Sequence, residues 1–209
     1  MIAQNADSQS EMNPAKALQA LKDGNQRFVA GKQDDRDLLG QVNATRAGQW
    51  PFAVVLSCID SRASAELILD QGIGDIFSIR IAGNFVNEDI LGSMEFGCKV
   101  AGSKVLVVLG HRHCGAVKGA CDGVELGNLT AMLSKIQPAV DGTPEPAAAD
   151  QRTSGNPAFV DAVARRNVEL TMAAIRERSP ILAEMEKDGA IDIVGAMYDV
   201  ESGAVEFWT

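Results

Sequence analysis

Lys104-Val105-Leu106-Val107-Val108-Leu109 runs directly into Gly110-His111-Arg112-His113-Cys114-Gly115. A continuous apolar run rich in valine fits a strand buried on both faces, as in a parallel sheet. A second such run, Phe52-Ala53-Val54-Val55-Leu56, ends in Ser57-Cys58-Ile59-Asp60-Ser61-Arg62. Between the two, residues 63–69 read as a helix closed by Gly72 and Gly74, residues 75–82 as a further strand, and residues 90–100 as a helix ended by Gly102. Strand and helix alternate three times, the pattern of an α/β domain with a parallel sheet. Ligand sites in open α/β sheets lie beyond the carboxyl ends of the strands. Cys58 follows the first strand and His111 the third, so the two blocks are expected to meet there.

Cys58, His111 and Cys114 are candidate metal ligands. Two thiolates and an imidazole suit zinc, and three protein ligands are one short of a closed structural site. By formal charge, two thiolates neutralise the ion, and Arg62 is placed to offset a further negative group. Asp60 has two readings: it orients the reacting oxygen, or it takes the fourth position and shuts the site. A pairing with Arg62 favours the first, since a carboxylate held by a bidentate arginine is not free to ligate. Cys98 falls in a helical pattern and reads as core; Cys121 and His113 are weaker ligand candidates. No GxGxxG or Walker-type lysine motif supports nucleotide binding.

Working outward, residues 1–13 read as a disordered or peripheral tail, and Pro14 opens a helical arm with Ala17, Leu18, Leu21 and Phe28 at helical spacing. A short helix is expected over 38–47. Beyond Cys114 helix resumes over 128–136, residues 138–156 read as a loop, and residues 157–178 form the longest helix, with Val160, Val163, Val168, Met172 and Ile175 as its buried face. A short helix over 181–187, a fourth strand over 191–198 and an antiparallel edge strand over 204–208 complete the chain. The fold expected is α/β: a mostly parallel central sheet flanked by helices, with an N-terminal helical arm and a short antiparallel edge strand, in one domain spanning 14–209.

The chain has 209 residues, 46% hydrophobic, and a formal net charge of -9. That length suits one domain. The negative field argues against nucleic acid and anionic membranes as partners. No apolar run reaches the length of a membrane span. Four cysteines without the spacing of a small secreted scaffold point to free thiols in a reducing compartment. The cytoplasm is the expected location, with a removed leader peptide as the alternative.

Cys58 to Arg62 followed by the Gly110 to Ala116 block resembles the β-class carbonic anhydrases. Gly24-Asn25-Gln26-Arg27-Phe28 is similar to that family's N-terminal helix motif. Arg80-Ile81-Ala82-Gly83-Asn84 is similar to a second motif, with Ile81 and Gly83 as departures. The likeness spans roughly residues 14–208. It implies one Zn2+ per chain on Cys58, His111 and Cys114, and Asp60 with Arg62 as a catalytic dyad orienting a zinc-bound hydroxide. The implied activity is the reversible hydration of CO2 to bicarbonate and a proton. The implied assembly is a homodimer whose N-terminal helices cross to the partner, with the active site at the subunit interface and a homotetramer as the larger form. One family subtype carries a Trp three residues before the first Cys, where this chain has Val55. The other, with an open site, lines its substrate pocket with residues that fall here on Gln49, Phe77, Phe96 (in place of a Tyr) and the Gly115 amide; the chain resembles this open subtype. Two rivals share the motifs: a carbon disulfide or carbonyl sulfide hydrolase, and a non-catalytic zinc or thiol sensor.

Overall fold

A computed structural model describes residues 3–209. Its centre is a five-stranded sheet in the order β2-β1-β3-β4-β5. The strands are β1 (Ala53–Ser57), β2 (Ile76–Arg80), β3 (Val105–His111), β4 (Asp192–Tyr198) and β5 (Val205–Trp208). β1 pairs in parallel with β2 and β3, and β3 in parallel with β4; β5 returns antiparallel along β4 and is the expected edge strand. β1 and β3 lie side by side with Ser57 opposite Leu109, so the turns that follow them emerge at the same end of the sheet.

The apolar runs are explained by two cores. Alternate side chains of a strand face opposite sides. Ala53, Val55, Val105, Val107 and Leu109 join one cluster, with Ala17 and Leu21 of α2 (Pro14–Val29) and Ala65 and Ile68 of α4 (Ala65–Ile68). Val54, Leu56, Leu106 and Val108 join the other, with Met94 of α5 (Glu88–Glu95) and Val168, Met172 and Ile175 of α9 (Pro157–Arg178). The remaining helices are α1 (Ala6–Ser10), α3 (Leu38–Thr45), α6 (Gly115–Cys121), α7 (Gly127–Leu133), α8 (Gln137–Asp141) and α10 (Pro180–Lys187). A π-turn over Phe96–Val100 continues α5.

Three stretches differ from the sequence reading. The peripheral N-terminal segment contains α1, capped reciprocally by Asn5 and Ser8, and Gln9 donates to the Pro51 and Ala101 carbonyls. Helix begins again at Gly115, immediately after Cys114, rather than near 128. The expected loop over 138–156 holds most of α8 and a 3-10 turn at Ala149–Gln151. α6 and α8 are short and carry no clear period of their own. They are helical because Val117, Ala120, Ala139 and Val140 bury against Phe159, Val160 and Val163 of α9, in a third cluster that also contains Cys58 and Cys114. Tertiary packing supplies what an isolated short helix lacks.

An ion cluster ties the arm to this scaffold. Asp70, just past α4 and 3% exposed, takes Arg27 Nε at 2.6 Å and a second contact from Arg36, whose side chain is also buried. Asp34 joins Arg27 at 3.2 Å. Burial pushes the Asp70 carboxyl up, but Arg36 and Arg27 outweigh it and hold it below the usual carboxylate range.

Candidate metal centre and active site

Cys58, at the end of β1, and His111, the last residue of β3, converge as their parallel pairing requires. Cys114 returns to them through a sharp turn at His113, which takes φ +56°. The three ligand atoms lie within 4.8 Å of one another, all on buried residues. Cys58 Sγ and Cys114 Sγ are 3.9 Å apart.

His111 carries the clearest mark of a missing partner. Its Nδ1 sits 2.9 Å from the Arg112 carbonyl. A carbonyl only accepts, so the proton is on Nδ1 and the lone pair is on Nε2. That Nε2 is buried, in a residue 1% exposed, and has no hydrogen-bond partner. A buried acceptor left unsatisfied is costly. A second hydrogen bond that fixes tautomer and ring orientation is the usual setting of a metal-bound histidine. Two soft sulfur donors within reach make the set fit zinc.

The thiols are tuned in opposite directions. The Cys114 contact, helped by the Gly83 N–H at 3.4 Å, holds the Cys58 thiol down at about 4 against the effect of burial. The same contact, with burial, pushes the Cys114 thiol up. Burial alone pushes Cys98 up to about 12 and is the main cause that lifts Cys121 to about 11. Neither belongs to the three-donor group, and neither does His113, whose Nε2 lies 3.1 Å from Glu201.

Asp60 and Arg62 form the pair that the sequence suggests. Arg62 donates from Nε to Oδ1 at 3.0 Å, from Nη2 to Oδ2 at 2.8 Å, and from its backbone N–H to Oδ1 at 2.9 Å. These bonds, the guanidinium first, hold the Asp60 carboxyl down at about 2. Asp60 Oδ2 faces His111 Nε2 at 3.9 Å, while the carboxylate is not among the three clustered donors. It therefore looks onto the open side of the ligand group.

Of the predicted pocket residues, Gly115 directly follows Cys114, while Phe77 and Phe96 sit in a separate cleft. Phe77 and Phe96 meet edge to face, with ring centroids 6.0 Å apart. They line a cleft of about 640 Å³ with Ser78, Ile79, Glu88 and Asp89 that none of the three donors enters. Phe96 is 48% exposed, and Gln49 and Gly115 are exposed as well.

Sequence reasoning missed the groups that fasten the two turns. Arg80, ending β2, donates from Nε to the Cys58 carbonyl at 3.0 Å and from Nη2 to the Asp60 carbonyl at 2.7 Å. Asp161 of α9 accepts from Arg112 Nε at 2.7 Å and from the His113 N–H at 3.2 Å, pinning the second turn. Arg80 is exposed and Asp161 lies in the first turns of a long amphipathic helix, so neither breaks a local pattern.

The chain is similar in sequence and fold to known proteins. A sequence profile of the carbonic anhydrase family matches residues 53–205. Carbonic anhydrase 2 of Mycobacterium tuberculosis is 38% identical over 202 residues, covering 91% of each chain. The carbonic anhydrase of Mycolicibacterium smegmatis is 37% identical over 93% of each. Among solved structures, the β-carbonic anhydrase CafA of Aspergillus fumigatus has a TM-score of 0.70 at 24% identity, covering 93% of this chain and 89% of that one. One of two tetrameric β-carbonic anhydrases of Sordaria macrospora has a TM-score of 0.68 at 23% identity, over 79% and 84%. Among the described residues no helix is long and apolar enough to cross a membrane. Sequence profile, relatives and fold all lead to one statement: the chain belongs to the β-carbonic anhydrase family.

Proposed function

We propose that the chain catalyses the reversible hydration of CO2 to bicarbonate and a proton, with one zinc per chain on Cys58, His111 and Cys114. The observation that carries this reading is the orphaned, buried His111 Nε2, set between two thiols and facing an arginine-held carboxylate. Zinc supplies, when bound, the acidity that brings a water to a pKa of about 7. The rest is done by the chain. Asp60, ionised throughout the neutral range, accepts a hydrogen bond at Oδ2 and aims the attacking oxygen at carbon. Arg62 fixes that carboxylate with two parallel bonds, which keeps it from turning inward to ligate. The oxygen adds to the CO2 carbon, bicarbonate leaves, and one proton passes to buffer.

Gln49, Phe77, Phe96 and the Gly115 amide form the substrate pocket in this reading, completed in a homodimer or a tetramer built from it. The half-exposed Phe77–Phe96 cleft on the outer strand β2 supports a second copy at that face. A sedimentation run would detect the assembly.

Stopped-flow CO2 hydration on zinc-verified protein tests the activity. Fast hydration by the parent, strongly reduced in Asp60→Asn with zinc retained, is expected. No hydration at one zinc per chain would sink the proposal. Two thiolates donate more charge than imidazoles, so the rate should climb towards alkaline pH; a flat profile from about pH 6 to 9 counts against it.

A further inference from the structure

Asn167 sits on the buried face of α9 with Val163, Ala164 and Val168, and is 3% exposed. A primary amide in the core is costly unless its hydrogen bonds are made. Its Nδ2 donates to the Gly83 carbonyl at 2.7 Å. Gly83 takes φ +80° and Asn84 φ +40°, two successive left-handed residues in a turn closed by the Asn84 N–H on the Ile81 carbonyl at 2.9 Å. Left-handed backbone is unfavourable for L side chains. A Cβ at Gly83 would also collide with Ile136 Cδ1. The turn is thus tightly constrained, and its N–H at Gly83 points at Cys58 Sγ, 3.4 Å away. One unbroken line runs from α9 through the Asn167 amide and the Gly83 residue to the sulfur.

We infer that Asn167 is a positioning residue for the metal centre: it fixes the Gly83 turn so that the Gly83 N–H stays on the Cys58 thiolate and draws charge from it. This rests on the zinc reading of the site. A hydrogen bond to a sulfur ligand weakens its donation and leaves the ion more electron-poor. Such a bond works against the charge that a second thiolate adds, in the direction that favours acidifying a water. Asn167 touches neither ligand nor substrate; it acts through Gly83. A purely structural role would predict something else, namely loss of stability with no change at sulfur.

Cobalt(II) in place of zinc separates the two, because its thiolate charge-transfer absorption reports directly on sulfur donation. The variants are Asn167→Leu, similar in size without a donor, and Asn167→Ala, smaller and likewise without a donor, if the first fails to fold. Met172→Ala is the control: a buried residue of the same helix that leaves Gly83 untouched. The expected result is a charge-transfer band at lower energy in the Asn167 variants and a zinc affinity about 10–100-fold weaker by chelator competition, with the control band unmoved. A band at the parent energy in the Asn167 variants, or an equal shift in the control, overturns the inference. A parent chain that takes up neither cobalt nor zinc overturns the zinc reading itself, and this inference with it.

Discussion

The chain holds two aspartate–arginine constellations of opposite build. Asp60 and Arg62 are two residues apart, and the Arg62 side chain is 53% exposed. Asp70 with Arg27 and Arg36 is assembled across more than thirty residues of sequence, and Asp70 and Arg36 are buried while Arg27 closes the outer side. An exposed pair contributes little stability, because water screens it. A buried one, once formed, is costly to break, because removing one partner leaves an unpaired charge in the core. The difference teaches that ion-pair geometry alone does not announce a role: both are short and multiply bonded, yet the exposed pair is the one proposed to serve the reaction, while the buried cluster ties the arm to the scaffold.

Substitutions can break that division. The largest effect is expected from Asp60→Asn, which should lower CO2 hydration roughly 10²–10⁴-fold while the melting temperature stays at the parent value. A matching fall in melting temperature would show that the pair is structural after all. Asp70→Asn should do the reverse: about 3–5 kcal/mol of unfolding free energy lost in urea titration, with the rate per folded, zinc-loaded chain preserved. Arg62→Lys keeps the charge but loses the two-bond fork, so a smaller drop, about tenfold, is expected in kcat, with zinc content unchanged. If Lys restores the full rate, the fork does not matter and charge alone does.

The smallest effect is one of pH. The Asp70 carboxyl is held below its ordinary value in the folded chain, so the stability it contributes is fully present above the unfolded value of about 3.9 and fades as pH falls through the folded one. Acid unfolding of the parent should therefore steepen below about pH 4, and Asp70→Asn should flatten that limb. Equal slopes in the two proteins would remove Asp70 from the account.

Legibility in the sequence followed the same line between local and assembled. β1 and β3 were readable because strands buried on both faces must be apolar throughout, and the structure puts their alternate residues in two separate cores. Cys58, His111 and Cys114 were readable because donors follow those strands directly. The bounds of α9 were readable from its Pro and its period. α6 and α8 were not, since a short helix with no apolar period of its own owes its shape to what it packs on. Nor were Arg80 and Asp161, whose bonds go to backbone groups and to a neighbour's side chain far away in sequence. Asn167 left a faint trace: an amide on a buried helical face where, Thr171 aside, the other residues are apolar.

α9 is a rod of 22 residues, about 33 Å long; it bonds the turn between His111 and Cys114 through Asp161, and through Asn167 it holds the Gly83 turn whose N–H lies on Cys58 Sγ. It lies entirely after the last ligand. A ribosome that has released Cys114 has therefore delivered every donor atom but not the scaffold that aims them. On the zinc reading, the proposed centre gains this support only once the chain has grown past residue 167 and folded back on itself, so that ion capture would report that the C-terminal half is in place.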